Sequence, residues 1–217
     1  IDKFLLILKS KEINLFNTLV KKAKIDLKKL KIEIINETEL YNNTNIVNTY
    51  YLQMYLKLLI AQKIETNYYL TLDADLYFCK KSNSTSFFTH KAYYQKYNKM
   101  DKWNKRVNKE LDIKLEFVTN QTPFVFITQI VNFMLQKLDV ENLILKKQCS
   151  EYTLYTGYCF KNDLLDDCYT LKKFIATPIN YMTNKNITKD NQVILGESFM
   201  INKDEVIGCI QSRINKH

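Results

Sequence analysis

Asp73 and Asp75 flank a single alanine at the end of an apolar, β-prone run, Tyr68-Tyr69-Leu70-Thr71-Leu72, and a second apolar run, Leu76-Tyr77-Phe78, follows at once. In a strand, side chains at i and i+2 share a face. If the strand ends at Leu72, the two carboxylates stand instead in a tight turn at its carboxyl end, where open α/β sheets bind ligands. Adjacent carboxylates repel each other unless a cation sits beside them. Hard divalent ions take such oxygen ligands and also coordinate phosphate oxygens. Asp73 and Asp75 therefore read as a metal–diphosphate site. The plainer reading is a solvated turn, for which Asp is a favoured residue; the apolar residues on both sides weigh against it.

Other residues could join that chemistry. Lys57 follows Gln53 by one helical turn, so the two share a face. A lysine aimed at the strand ends would neutralise a diphosphate as a point charge, and an exposed lysine on an amphipathic helix is the equal alternative. Ser10 and Lys11 follow the first apolar run, and Asn36 follows the second, which puts them in loops that touch a nucleotide in a Rossmann-like half. Arg213, next to Ser212, offers the bidentate fork that suits phosphate. Trp103 with Tyr93, Tyr94 and Tyr97 offers faces for a sugar ring, although core packing is the commoner use of aromatics.

The elements that must position these residues follow from periodicity. Residues 4–8 read as a buried strand, 12–30 as a helix, and 31–35 as a second strand ending in Asn36-Glu37-Thr38. Residues 42–48 form a polar loop, 50–62 a helix with Leu52, Leu56, Leu59 and Ile60 on one side, and 68–72 a third strand. This alternation predicts an α/β fold. Its sheet is mixed but mainly parallel, with helices on both faces. Further on, residues 82–86 read as a turn and 87–106 show no clean period. Thr122-Pro123 precedes an apolar segment, 124–138, that predicts a helix with Pro in its first turn. A second helix is expected from Ser150-Glu151 to Phe160, and late strands at 193–201 and 206–210.

Composition bounds the rest. The 217 residues predict one domain, with a donor-binding half of about residues 1–80 and an acceptor half of about 81–217. Three Gly and two Pro argue against linkers, and no apolar run reaches the roughly 18 residues that span a bilayer. Five cysteines, an odd number without Cys-x-x-Cys spacing, exclude a zinc ribbon and favour reduced thiols in the cytoplasm. The start at Ile1 without Met suggests a piece of a longer multidomain chain. A net charge of +9 suits an anionic partner, whether nucleotide sugar, nucleic acid or acidic membrane surface. The densest basic run, residues 21–31, keeps Ala23, Leu27 and Leu30 at helical spacing and reads as a solvated helix face ahead of a nucleic-acid patch.

Leu72-Asp73-Ala74-Asp75 and its apolar lead-in resemble the DxD motif of GT-A nucleotide-sugar glycosyltransferases, and Gln53, Lys57 and Leu58 resemble the Q-x-x-x-K-L element that often precedes it. The compact size and the Lys/Asn/Ile-rich composition resemble small virus-encoded and bacterial members; a viral origin would put the protein in the host cytoplasm. The strongest likeness covers residues 50–78. It implies a GT-A-like fold, a UDP-sugar donor bound at Asp73, Ala74 and Asp75, Mn²⁺ or Mg²⁺ held by Asp73 and Asp75, and a glycan or glycoprotein acceptor, with no nucleic-acid partner. A late histidine often supplies a third metal ligand in that class, and His217 stands in that order; His90 is the other histidine. Glu151 is the candidate base that would take the acceptor hydroxyl's proton. First-turn acid preference is the simpler explanation for a Glu there, and Asp190 and Glu197 are weaker candidates for the same role.

Two other functions compete. A haloacid-dehalogenase-type phosphatase also carries D-x-D after a strand. It normally places Thr or Val two residues past the second Asp, where Tyr77 stands here, and uses the first strand. A non-catalytic basic binding module would show steep salt dependence and no need for Asp73 or Asp75.

Overall fold

The computed structural model describes residues 3–43, 48–73, 83–96, 102–117, 119 and 122–171. The chain begins with strand β1 (Phe4–Leu8), helix α1 (Ser10–Lys22) and strand β2 (Ile32–Asn36). β1 and β2 pair in parallel with Leu8 opposite Asn36, so both strands point their carboxyl ends the same way. The helix expected to reach residue 30 stops at Lys22. Lys24 adopts a left-handed φ of 53°, and the amides of Lys24 and Ile25 turn back to the carbonyls of Lys21 and Val20, a Schellman-type stop. Asp26 then fixes the next turn, its Oδ1 accepting from the amides of Lys28 and Lys29 at 3.0 and 3.1 Å.

A short helix α2 (Glu37–Leu40) leads to α3 (Thr49–Leu59), which continues as a 3₁₀ turn over Ile60–Lys63. Asn48 caps α3 by accepting from the Tyr50 amide at 3.0 Å. Tyr51, Met54, Tyr55, Leu58 and Leu59 bury its inner face, and Gln53 is exposed. Strand β3 (Tyr68–Thr71) follows, then β4 (Ala92–Tyr94), α4 (Lys102–Leu111), β5 (Phe124–Ile127) and α5 (Thr128–Lys137). A π turn (Asn142–Lys146), α6 (Glu151–Lys161), α7 (Leu165–Cys168) and β6 (Tyr169–Leu171) complete the described chain.

The fold is mixed α/β, with a sheet organisation unlike the expected one. Among the described residues there are two parallel pairs, β1–β2 and β4–β6, and one antiparallel pair, β3–β5, with no long parallel sheet. The predicted helix over 124–138 is a strand followed by a helix. Phe124-Val125-Phe126-Ile127 is aromatic and β-branched, pairs with β3 residue for residue, and is buried over its first three positions. The Thr122–Pro123 peptide bond preceding it is cis. The expected strands at 193–201 and 206–210 lie outside the described residues.

The core is one contiguous cluster centred on Phe126, Leu58, Met134, Ile144, Leu154 and Tyr155. Phe124 and Phe126 sit 4.7 Å apart, and Tyr155 meets Phe126 edge-on at 4.9 Å, a favoured aromatic geometry. The hydroxyls of Tyr155 and Tyr169 are satisfied within this packing. Tyr155 and Tyr169 share a 2.8 Å hydrogen bond, and Tyr169 also donates to the Val125 carbonyl at 2.9 Å. α6 enters the core on nearly every side, and Gly157 is what lets it lie against α4: a Cβ there would stand 2.7 Å from Val107 Cγ1.

Candidate functional site

β3 ends at Thr71, and two residues later Asp73 leaves the core with its side chain 32% exposed. Because β3 and β5 are antiparallel, the carboxyl end of β3 meets the start of β5, which brings Thr122 alongside. The Thr122 hydroxyl donates to Asp73 Oδ2 at 3.1 Å. From α3, Lys57 donates to Asp73 Oδ1 at 2.7 Å. From the first turn of α6, Glu151 and Tyr152 close on the same ammonium, with Glu151 Oε1 at 3.0 Å and the Tyr152 hydroxyl at 2.9 Å. All three donor positions of that ammonium are therefore used.

Each member is held from behind. Glu151 is 2% exposed, its Oε2 accepts from the Ser150 hydroxyl at 3.4 Å, and its place in the first turn suits the positive end of the helix dipole. Tyr152 stacks on Phe126 at 5.7 Å and packs against Phe124 at 5.0 Å, and its hydroxyl lies 3.4 Å from that of Thr71. The Lys57 ammonium also stands 5.0 Å from the centre of the Tyr152 ring, a cation–π distance. Tyr69 donates to the Lys57 backbone carbonyl at 3.0 Å and so ties β3 to α3.

Electrostatics keep this lysine charged. Burial is the largest single influence on Lys57 and pulls its pKa down. The Tyr152 oxygen and the carboxylates of Glu151 and Asp73, with the hydrogen bond to Asp73, outweigh burial and hold the ammonium well above its usual range. The Tyr152 phenol is pushed up chiefly by burial, with Lys57 opposing, so it remains a neutral hydroxyl. The site is thus a carboxylate–ammonium–carboxylate array, rigid on the core side and open at Asp73.

Of the residues singled out in the sequence, the structure brings Lys57, Asp73 and Glu151 together. Ser10 and Asn36 form a separate pair at the carboxyl ends of β1 and β2, the Ser10 hydroxyl donating to Asn36 Oδ1 at 2.7 Å. Asn36 also caps α2 through the Thr38 amide at 3.1 Å. Lys11 is exposed on the first turn of α1, and His90 is exposed on the approach to β4. Trp103 and Tyr94 are buried, Trp103 against Tyr51 at 6.1 Å, so both serve the core and not a sugar face. Ala74, Asp75, Tyr97, Asp190, Glu197, Arg213 and His217 lie outside the described residues.

Two residues of the cluster were not singled out as site residues. In the sequence Thr122 is the residue before Pro123, and Tyr152 is the residue after Glu151 at the start of a helix. The available signal was adjacency, since each neighbours a residue that had been noticed.

A divalent cation would need oxygen ligands here. Each Asp73 oxygen accepts one hydrogen bond and keeps a second lone pair, so Asp73 can serve as one ligand. Among the described residues, no group of three or more Asp, Glu, His or Cys side chains converges to hold a metal. The model of a family of unknown function (DUF6492) matches residues 1–215. No curated protein matches the chain.

Proposed function

The chain belongs to that family of unknown function, and from the chemistry of its charged cluster we propose that it is a metal-dependent glycosyltransferase of GT-A type. It would move a sugar from a nucleoside-diphosphate sugar, with UDP-sugar as the first choice, to a glycan or glycoprotein acceptor. The observation that supports this reading is Asp73. It is a partly exposed carboxylate at a strand end, two residues before Asp75, with a half-buried ammonium fixed against it.

In the reaction, an acceptor hydroxyl oxygen bonds to the anomeric carbon as the bond from that carbon to the diphosphate oxygen breaks, and the hydroxyl's proton passes to the released diphosphate or to water. Two negative charges must be met on the leaving side. Lys57, held by Glu151 and Tyr152, fixes Asp73 in place so that no reorganisation is needed when charge develops. Asp73 and Asp75 would hold Mn²⁺ or Mg²⁺, which when bound supplies Lewis-acid neutralisation of the diphosphate. His217 and Arg213 keep their proposed places as third ligand and phosphate contact. Ser10, Lys11 and Asn36, at the ends of β1 and β2, are proposed to contact the nucleoside.

Glu151 takes a different role in this account from that of a base. A carboxylate 2% exposed, with Oε1 on Lys57, is the lysine's counter-ion and cannot be reached by an acceptor arriving from solvent. We assign it to holding Lys57.

The test is turnover. Incubation with UDP-hexoses and Mn²⁺ should release UDP, chelation should stop the release, and Asp73→Asn should lower it by about a hundredfold or more, the scale of lost charge stabilisation at such a site. Release that continues in chelator and in Asp73→Asn would count against the reading.

A further inference from the structure

The first thirty residues carry a surface that the candidate site does not use. Residues 3–31 hold nine lysines against Glu12 and Asp26, a net +7 out of +9 for the whole chain. The same stretch holds Phe4, Leu15, Leu19, Ile25 and Leu30, half of the large apolar side chains exposed among the described residues. On α1 the two features coincide. Ile13, Phe16 and Val20 face inward and are half-buried. At helical spacing, Lys11, Leu15, Leu19 and Lys22 share the outer side, where Leu15 is 62% and Leu19 54% exposed. Phe4 and the 25–31 loop sit together at the opposite end of the β pair from Asn36, since the Phe4 amide bonds to the Lys31 carbonyl.

We propose that this face, the outer side of α1 with the 25–31 loop and Phe4, binds the surface of an anionic lipid bilayer. A basic helix with exposed leucines is the arrangement that lies in a bilayer interface: apolar side chains enter the headgroup–acyl boundary and lysine stems reach up to anionic headgroups. Charge separates this occupant from the others. A second copy would bring a second +7 face against the first. The remainder of the chain is itself net positive, so on balance it does not attract such a face. Nucleic acid would use the lysines but leave the leucines in water, and the face offers Phe4 as its one exposed aromatic for stacking on bases. This inference stands apart from the glycosyltransferase reading.

Sedimentation of the full chain with phosphatidylcholine vesicles, with and without phosphatidylserine, tests it. Binding to the phosphatidylserine vesicles is expected to be at least about tenfold tighter than to phosphatidylcholine alone. Leu15→Ser with Leu19→Ser, both at exposed positions, is expected to weaken it by about tenfold or more. In Leu19→Trp the indole emission is expected to shift to the blue when phosphatidylserine vesicles are added. Failure to bind these vesicles would overturn the proposal. So would binding that the leucine variants leave unchanged with no emission shift, which would mark a simple polycation. Concentration-dependent dimerisation abolished by the leucine variants would assign the face to a second copy and equally overturn it.

Discussion

Lys57 is the residue on which the site depends. A buried pair broken on one side leaves the other charge uncompensated, at a cost of about 3–5 kcal/mol. Lys57→Met should therefore destabilise the fold by about that much in urea unfolding, because it leaves the 2% exposed Glu151 carboxyl without its partner. Adding Glu151→Leu to Lys57→Met should recover most of the loss, since replacing a buried ion pair with apolar groups is often neutral. A double variant as unstable as Lys57→Met alone would show that the pair is not coupled as the 3.0 Å contact indicates. The lysine also sets a pH signature. Its folded pKa is raised above the ordinary 10.5, so its contribution is complete below that value and is lost as pH rises past it. Around neutral pH the titration of this group should leave stability unchanged. Lys57→Met should remove part of the alkaline loss of stability expected above about pH 10.5.

At the scale of elements, α6 joins site and core. Glu151 and Tyr152 open it at the site, and Gly157 lets it press on α4 less than two turns later. Gly157→Ala gains about 1 kcal/mol of helix propensity. It also drives a methyl to within 2.7 Å of Val107, with Ile113 and Leu111 at 3.1 and 3.2 Å. Val is stiff about χ1 and cannot swing away easily, so overpacking should win and lower stability by about 1–3 kcal/mol, read as a fall in thermal midpoint. A rise would mean that α4 yields. Elements also mark where sequence reading stopped. β1, β2, β3 and α3 stood out because each buries a short continuous run or a clean stripe. β5 did not, because Phe124 to Ile127 runs into α5 without a break, and periodicity cannot divide a short apolar strand from a helix. α4 was hidden by Asn104, a polar residue on its buried stripe of Trp103, Val107 and Leu111. That amide bonds to the Leu115 and Phe117 carbonyls, a partnership with no trace in local spacing.

Over the whole molecule, the candidate site was legible as separate residues and illegible as a cluster. Lys57, Asp73 and Glu151 could each be noticed by type and neighbourhood. That they share one ammonium depends on α6 folding back 94 positions along the chain, which only tertiary packing decides. The cysteines give a further whole-molecule check. Cys149 and Cys159 are free and buried, and burial foremost pushes both thiols up to about 12. Both should resist alkylation at neutral pH in the native state and react only on unfolding. Native labelling of either at the rate of a free thiol would contradict their burial. The central claim is that Asp73 and Asp75 hold a metal against a nucleoside diphosphate beside Lys57. Calorimetric titration of UDP and GDP into the chain, with and without Mn²⁺ and repeated on Asp75→Ala, tests it most directly. Manganese-dependent UDP binding that disappears in Asp75→Ala is the expected result. Failure of both nucleotides to bind with the metal present, or binding unchanged by Asp75→Ala, would contradict it.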